Sequence, residues 1–182
     1  MNFNSHWNLK DKHAFLGASK YSWLNYDAEK LRESYSSAQA RYLGTRLHAL
    51  ASEHIQLGIP LEDNGKTLNS FVNDAIGFRM KSEQILYYSD NCFGTADAIS
   101  FREKENKLRI HDLKTGTTPA SMKQLYIYAA LFFLEYAIDP HQTDTELRIY
   151  QFDNVEICIP PVTELLNIMQ KIRAFDIIIN EM

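Results

Sequence analysis

Asp97, Asp112 and Lys114 are the residues of this sequence whose types and spacing best suit chemistry. They lie in the stretch 93–116, FGTADAISFREKENKLRIHDLKTG, which reads as two strands joined by a charged turn at 103–106. Side chains alternate along a strand, so Phe93, Thr95, Asp97, Ile99 and Phe101 are expected on one face of the first strand. Leu108, Ile110, Asp112 and Lys114 are expected on one face of the second. Each face is apolar along most of its length and then gives way to charge. Buried charge is costly unless it is paired or bound to a metal. Hydrolysis of a phosphodiester needs a nucleophilic water, stabilisation of charge at phosphorus and help for the leaving oxygen. Divalent metals supply most of this. Mg²⁺ binds through one or two carboxylates plus water and substrate phosphate, a role that suits Asp97 and Asp112. Lys114 points to the same side as Asp112, where its ammonium would orient the attacking water or offset charge in the transition state. A histidine on a nearby helix would complete the metal shell and tilt the site toward Mn²⁺.

The elements that must hold these groups follow from periodicity. Residues 36–58 read as a long helix with Leu43, Leu47, Leu50 and Leu57 as its apolar stripe, ended by Gly58 and Pro60. His48 lies beside that stripe, and His54 continues it as a packed histidine. Residues 67–79 read as a second helix, with Leu68, Phe71, Val72, Ala75 and Ile76 facing inward. A strand at 82–89 precedes the central pair. Thr118 before Pro119 reads as a helix start. The helix that follows buries Met122, Leu125, Tyr126, Ala129, Ala130, Phe133 and Leu134, with Gln124 and Tyr128 together on another face. Strands at 145–152 and 155–159 are joined by a tight turn at 153–154. A last amphipathic helix spans 162–179 with Leu165, Leu166, Ile168, Met169, Ile172, Phe175 and Ile179 on its apolar side. In the amino-terminal arm, Ser19 reads as the cap of a short helix carrying Trp23 and Tyr26. The order suggests an α/β protein, a mixed sheet flanked by helices.

These motifs together resemble the PD-(D/E)XK nuclease superfamily. GTAD followed by HDLKTG matches its Asp … Asp-x-Lys signature. GTRLHALAS resembles the histidine motif of the RecB-like and Cas4-like exonuclease branch, and QLYIY its Gln-x-x-x-Tyr motif. All stand in the branch's usual order across about residues 44–128, and ASKYSWLNY resembles the opening segment of phage and Cas4-like members. The resemblance implies a restriction-endonuclease-like αβββαβ core. It implies His48, Asp97, Asp112 and the Leu113 backbone carbonyl as metal ligands, and Lys114 as the catalytic lysine beside Asp112 and Asp97. Gln124 and Tyr128 would contact the DNA backbone or support the site. Glu83 fits a glutamate often seen in the preceding strand and is assigned to substrate binding or support. The implied cofactor is Mg²⁺ or Mn²⁺. Many relatives hold an iron–sulfur cluster through four cysteines; here Tyr26 stands where one cysteine is expected and no carboxy-terminal trio exists, so no cluster is expected.

Composition sets the outer bounds. The chain has 182 residues, 45% of them hydrophobic, and few Gly or Pro, which suits one domain with a sizeable core. We read an amino-terminal arm at 1–35, a core at about 36–160 and a carboxy-terminal helix at 161–182. The net charge of -4 argues against a protein that coats nucleic acid by charge alone. Lys10, Lys12, Arg41, Arg46, Lys81 and Lys123 are either a DNA track or scattered surface cations. Cys92 and Cys158 read as small core residues. No apolar run approaches the roughly 20 residues of a membrane span, and the amino-terminal stretch MNFNSHWNLKDKH lacks a signal peptide's apolar core. A cytoplasmic protein of a bacterium or phage is expected. The leading expectation is a deoxyribonuclease, with exonuclease action in recombination, repair or phage DNA processing preferred. An endonuclease of defence or counter-defence type is the alternative, as is a non-catalytic interaction subunit with the nuclease fold. DNA is the expected partner, with a homo-oligomer or a recombination protein open and no membrane.

Overall fold

The computed structural model describes residues 4–10 and 12–182; residues 1–3 and 11, part of the polar amino-terminal stretch, lie outside the described residues. The chain divides into two compact units, Met1–Leu43 and Gly44–Met182. In the first, Trp23 Nε1 donates to the Gly17 carbonyl at 3.1 Å, and the Phe15 and Tyr35 rings meet edge to face at 5.1 Å. The short helix expected here is a kinked 3₁₀ segment, Ala18–Asn25, preceded by Gly17 with no side-chain cap. Ser19 is therefore inside the segment instead of capping it, and Tyr26 follows its end.

The first α-helix, α1, spans Ala28–Leu57 and so begins eight residues before the expected 36. Asp27 starts it: its carboxylate accepts from the Lys30 N–H at 2.7 Å, which satisfies one of the orphan donors of the first turn. The leucine stripe is not the buried face. Leu43, Leu50 and Leu57 are exposed, and the buried residues are Gly44, Ala51, Ser52 and Ile55. His54 is half-buried and closes the helix end through Nδ1 to the Ile59 carbonyl at 2.9 Å.

Helix α2 spans Thr67–Gly77. Five strands follow: β1 (Lys81–Ser89), β2 (Cys92–Arg102), β3 (Lys107–Leu113), β4 (Asp144–Gln151) and β5 (Asn154–Cys158). They form one mixed sheet in the order β1-β2-β3-β4-β5. Only the β3–β4 pair is parallel. Parallel neighbours need a crossover, and helix α3 (Lys123–Tyr136) supplies it. Helix α4 (Val162–Asn180) ends the chain. The structure is thus α/β, a five-stranded mixed sheet flanked by helices.

Two apolar clusters cover the two faces of the sheet. On one, Ile99, Leu108, Ile110, Leu147 and Ile149 pack with Leu125, Phe133, Leu165 and Met169 of α3 and α4. On the other, Ala98, Leu113 and Tyr150 pack with Ala51 and Ile55 of α1 and Phe71, Val72 and Ala75 of α2. Three local expectations shift. Helix α3 starts at Lys123, beyond Pro119. The β4–β5 hairpin turns at Phe152 and Asp153, both left-handed with φ of 56° and 55°, one residue earlier than expected. Asp153 is held there because its carboxylate takes the Thr67 N–H at 2.9 Å at the start of α2. Phe175 and Ile179 of α4 are exposed and line an open groove between α3 and α4.

Candidate active site

The site forms where α1 crosses the edge of the β1–β2–β3 ladder. The small face of α1 permits the crossing. A Cβ on Gly44 would lie 2.8 Å from Thr115 Oγ1, so a larger residue there would have to displace the side chain that follows Lys114. One turn further along the same face stands His48. A second turn brings Ser52, whose hydroxyl meets that of Ser82 in β1 at 2.9 Å. Gln56 Nε2 donates to both hydroxyls, at 3.0 and 3.2 Å. These polar bonds fix α1 beside Glu83, and a larger apolar face would have kept it away.

The strands change sides at this place. Ala96 and Ala98 are two apart, yet Ala96 packs in the α3-side cluster and Ala98 in the α2-side cluster. Across the ladder, Ser82 bonds α1 while Leu86 belongs to the α3-side cluster. Between them Glu83 is left-handed, with φ of 50°, a conformation that costs a non-glycine residue of order 1–3 kcal/mol. Ser82 pairs with Ala98 and Gln84 with Ala96, so Glu83 and Asp97 sit at the reversal. The shared face expected for residues 93–101 is accordingly broken: Phe93 and Thr95 are exposed, while Ile99 is buried.

His48, Glu83 and Asp97 each offer a ligand atom, all within 4.8 Å of one another. His48 Nδ1 lies 3.4 Å from Asp97 Oδ2, and that oxygen also accepts the Leu113 N–H at 2.8 Å. The hydrogen bond to Asp97 raises the His48 imidazole above its ordinary value against the opposing effect of burial, and the charges of Asp97, Asp112 and Glu83 add to the rise. Burial and the Asp97 charge together raise the Glu83 carboxyl.

Asp112 and Lys114 form the second half. Asp112 is 1% exposed. Burial first, and the Asp97 charge second, push its carboxyl up to about 6 despite the opposing Lys114. Lys114 Nζ donates to Asp112 Oδ1 at 3.1 Å and lies 2.8 Å from Oδ2, off the line of a hydrogen bond, so Oδ2 has no hydrogen-bond partner among the described residues. Lys114 also donates to Gln124 Oε1 at 2.8 Å, and Gln124 Nε2 donates to the Tyr128 hydroxyl at 2.8 Å. Tyr128 is seated against β2: a Cβ on Gly94 would come within 2.8 Å of its ring.

All the residues expected at the site therefore meet, with a different division of labour. Glu83, expected as a supporting residue, stands with His48 and Asp97 in the group that could hold a metal ion. Asp112 lies outside that group and is paired with Lys114. Leu113 brings its N–H to Asp97 and its side chain to the α2-side cluster. Gly44, Gly94 and Gln151 were not foreseen. Gln151 had one signal, a polar residue closing the otherwise strand-like run TELRIYQF. Cys92 and Cys158 are half-buried and not bonded to each other. Among the described residues, no helix is long and apolar enough to cross a membrane. No protein-family model, no curated protein and no solved structure matches this chain.

Proposed function

We propose that this chain is a metal-dependent deoxyribonuclease with a restriction-endonuclease-like core, acting on DNA ends. The observation that carries the reading is the meeting of two groups at one place. A histidine and two carboxylates have their ligand atoms within 4.8 Å of one another, and beside them a lysine is held on a buried carboxylate. The order of helix, three antiparallel strands, crossover helix and parallel strand also supports it.

His48, Glu83 and Asp97 would hold a Mg²⁺ or Mn²⁺ ion, with Asp112 Oδ2 and the Leu113 carbonyl available from β3. One imidazole among oxygens favours Mn²⁺ more than an all-oxygen site does. Such an ion would offset charge on the phosphodiester and polarise its phosphorus. The lysine's part follows from its hydrogen bonds. An ammonium has three donors; Asp112 and Gln124 take two, and the third is left to hold a water or a phosphate oxygen. Tyr128 fixes Gln124, and Gln124 fixes the lysine.

The test is cleavage of end-labelled linear duplex, linear single strand and closed circular DNA with Mg²⁺, Mn²⁺ or EDTA. Metal-dependent loss of the linear substrates alone is expected, and its absence in Lys114→Ala. Cleavage of circles would replace the exonuclease by an endonuclease. Wild-type rates in Lys114→Ala would overturn the mechanism.

A further inference from the structure

Lys114 and Gln124 touch, but they belong to different elements. Lys114 follows β3, and Gln124 lies in the first turn of α3. The connector between them, TGTTPASM, has no regular structure. A connector of this composition has many conformations open to it, and most would part the two side chains. Something must select one.

Gln151 makes the bonds that would do so. It is the last residue of β4, neighbour to Tyr150, whose carbonyl accepts the Lys114 N–H at 2.9 Å. Its side chain is buried, with the residue 8% exposed. Its Nε2 donates to the Gly116 carbonyl at 2.9 Å and to the Thr118 carbonyl at 2.8 Å. Its Oε1 accepts the Ala120 N–H at 2.9 Å. The amide's orientation is unambiguous, because a flipped group would set its oxygen against two carbonyls and its NH₂ against an N–H. A single side chain thus acts as the pairing strand that the connector lacks. It also bears on where α3 begins: the Thr118 carbonyl, which a helix starting at Pro119 would use for its first bond, accepts from Gln151.

We infer that Gln151 is a positioning residue of the site, clamping residues 116–120 so that Lys114 and Gln124 meet and the lysine stays over Asp112. The role in turnover rests on the nuclease reading above; the clamp itself does not. Glutamate keeps the acceptor and loses both donors, methionine is of similar size and loses all three bonds, and asparagine is one methylene short.

Two measurements on the full chain separate these statements. In Gln151→Met, hydrogen exchange at the Ala120 amide, the connector N–H that Gln151 holds, should rise by at least about tenfold while β2 and β3 stay protected; in Gln151→Glu, which keeps the acceptor, it should rise less. Turnover should fall on the order of 10- to 100-fold, the scale of a misplaced catalytic group, with KM changed less than about twofold. On a Gln124→Ala background, Gln151→Met should cost less than about threefold more, because the contact it protects is already gone. Exchange at the Ala120 amide of Gln151→Met equal to wild type overturns the clamp. A full additional loss on the Gln124→Ala background overturns its action through Lys114 and Gln124 and makes Gln151 merely structural. If wild-type protein cleaves no DNA, the nuclease reading fails by itself, and the exchange result still decides the clamp.

Discussion

His111 and Asp112 are neighbours on β3, both almost wholly buried, and they face opposite sides of one sheet. His111 looks toward α2, into a network of aromatic and charged groups in which its own Nε2 has no hydrogen-bond partner among the described residues. Tyr150 donates its hydroxyl to Asp74 at 2.6 Å, so the 3.2 Å contact between that hydroxyl and His111 Nδ1 requires the ring to donate from Nδ1. Arg148 bonds Asp74 and Glu146, and Arg109 and Arg148 both lie over the Phe78 ring. Burial, aided by these two arginines, pushes the His111 imidazole down to about 3. Asp112 looks toward α3, where Lys114 is its ion-pair partner and the Asp97 charge lies nearby. Burial pushes it up to about 6. The same physical force disfavours the charged form of both residues. On the α2 side it builds a core; on the α3 side it leaves a carboxylate that a metal would complete.

The two shifts have opposite consequences for stability. His111 binds its proton more weakly when folded, so its contribution is full above 6.5 and is lost as pH falls through about 3. Asp112 binds its proton more strongly when folded, so its contribution is full below 3.8 and is lost as pH rises through about 6. Between these limits the slopes oppose one another and the wild-type profile is shallow. Substituting either residue should unmask the other. His111→Asn should leave a protein that weakens as pH rises from 4 to 6. Asp112→Asn should give one that weakens as pH falls below 6.5, and that at pH 7 is more stable than wild type by on the order of 2–3 kcal/mol. Chemical unfolding at half-unit steps from pH 4 to 8 checks both; parallel profiles for the two variants would break the comparison.

Metal addition separates the two sides by an effect of similar size. Mn²⁺ at 100 times its dissociation constant should stabilise the folded chain by about 2.7 kcal/mol. The gain should persist in His111→Asn and vanish in Asp97→Ala. Equal gains in both variants would mean that the ion binds elsewhere. Smallest is the effect of the left-handed residue. Glu83→Asn should raise stability by about 1 kcal/mol, since asparagine tolerates this conformation better, and should weaken the Mn²⁺ response. A loss of stability would show that φ at Glu83 carries no strain.

Much of this was legible from residue order. Alternation placed β2, β3 and their turn within a residue, and the residues from His48 to Tyr128 do converge. What could not be read is instructive. Hydrophobic periodicity chose the leucines of α1 because leucine is apolar, whereas the close crossing needs Gly44, Ala51 and Ser52, which are small. Pro119 signals a helix start by a local rule, yet α3 begins at Lys123, and Gln151, distant in sequence, binds the Thr118 carbonyl that a start at Pro119 would use. Glu83 was legible as a site residue on a strand but not as a left-handed one, because nothing in its own chemistry announces a positive φ.

The single parallel pair in the sheet also sets an order of events. The β1–β2–β3 meander joins neighbours in sequence, and such short loops close early and fast. The pairing of β3 with β4 must wait for the whole of α3 to be made and docked. His48, Glu83 and Asp97 can therefore assemble while the chain is still growing, whereas the clamped lysine must come later. The ligand cluster should appear first in refolding, and the lysine half should complete it.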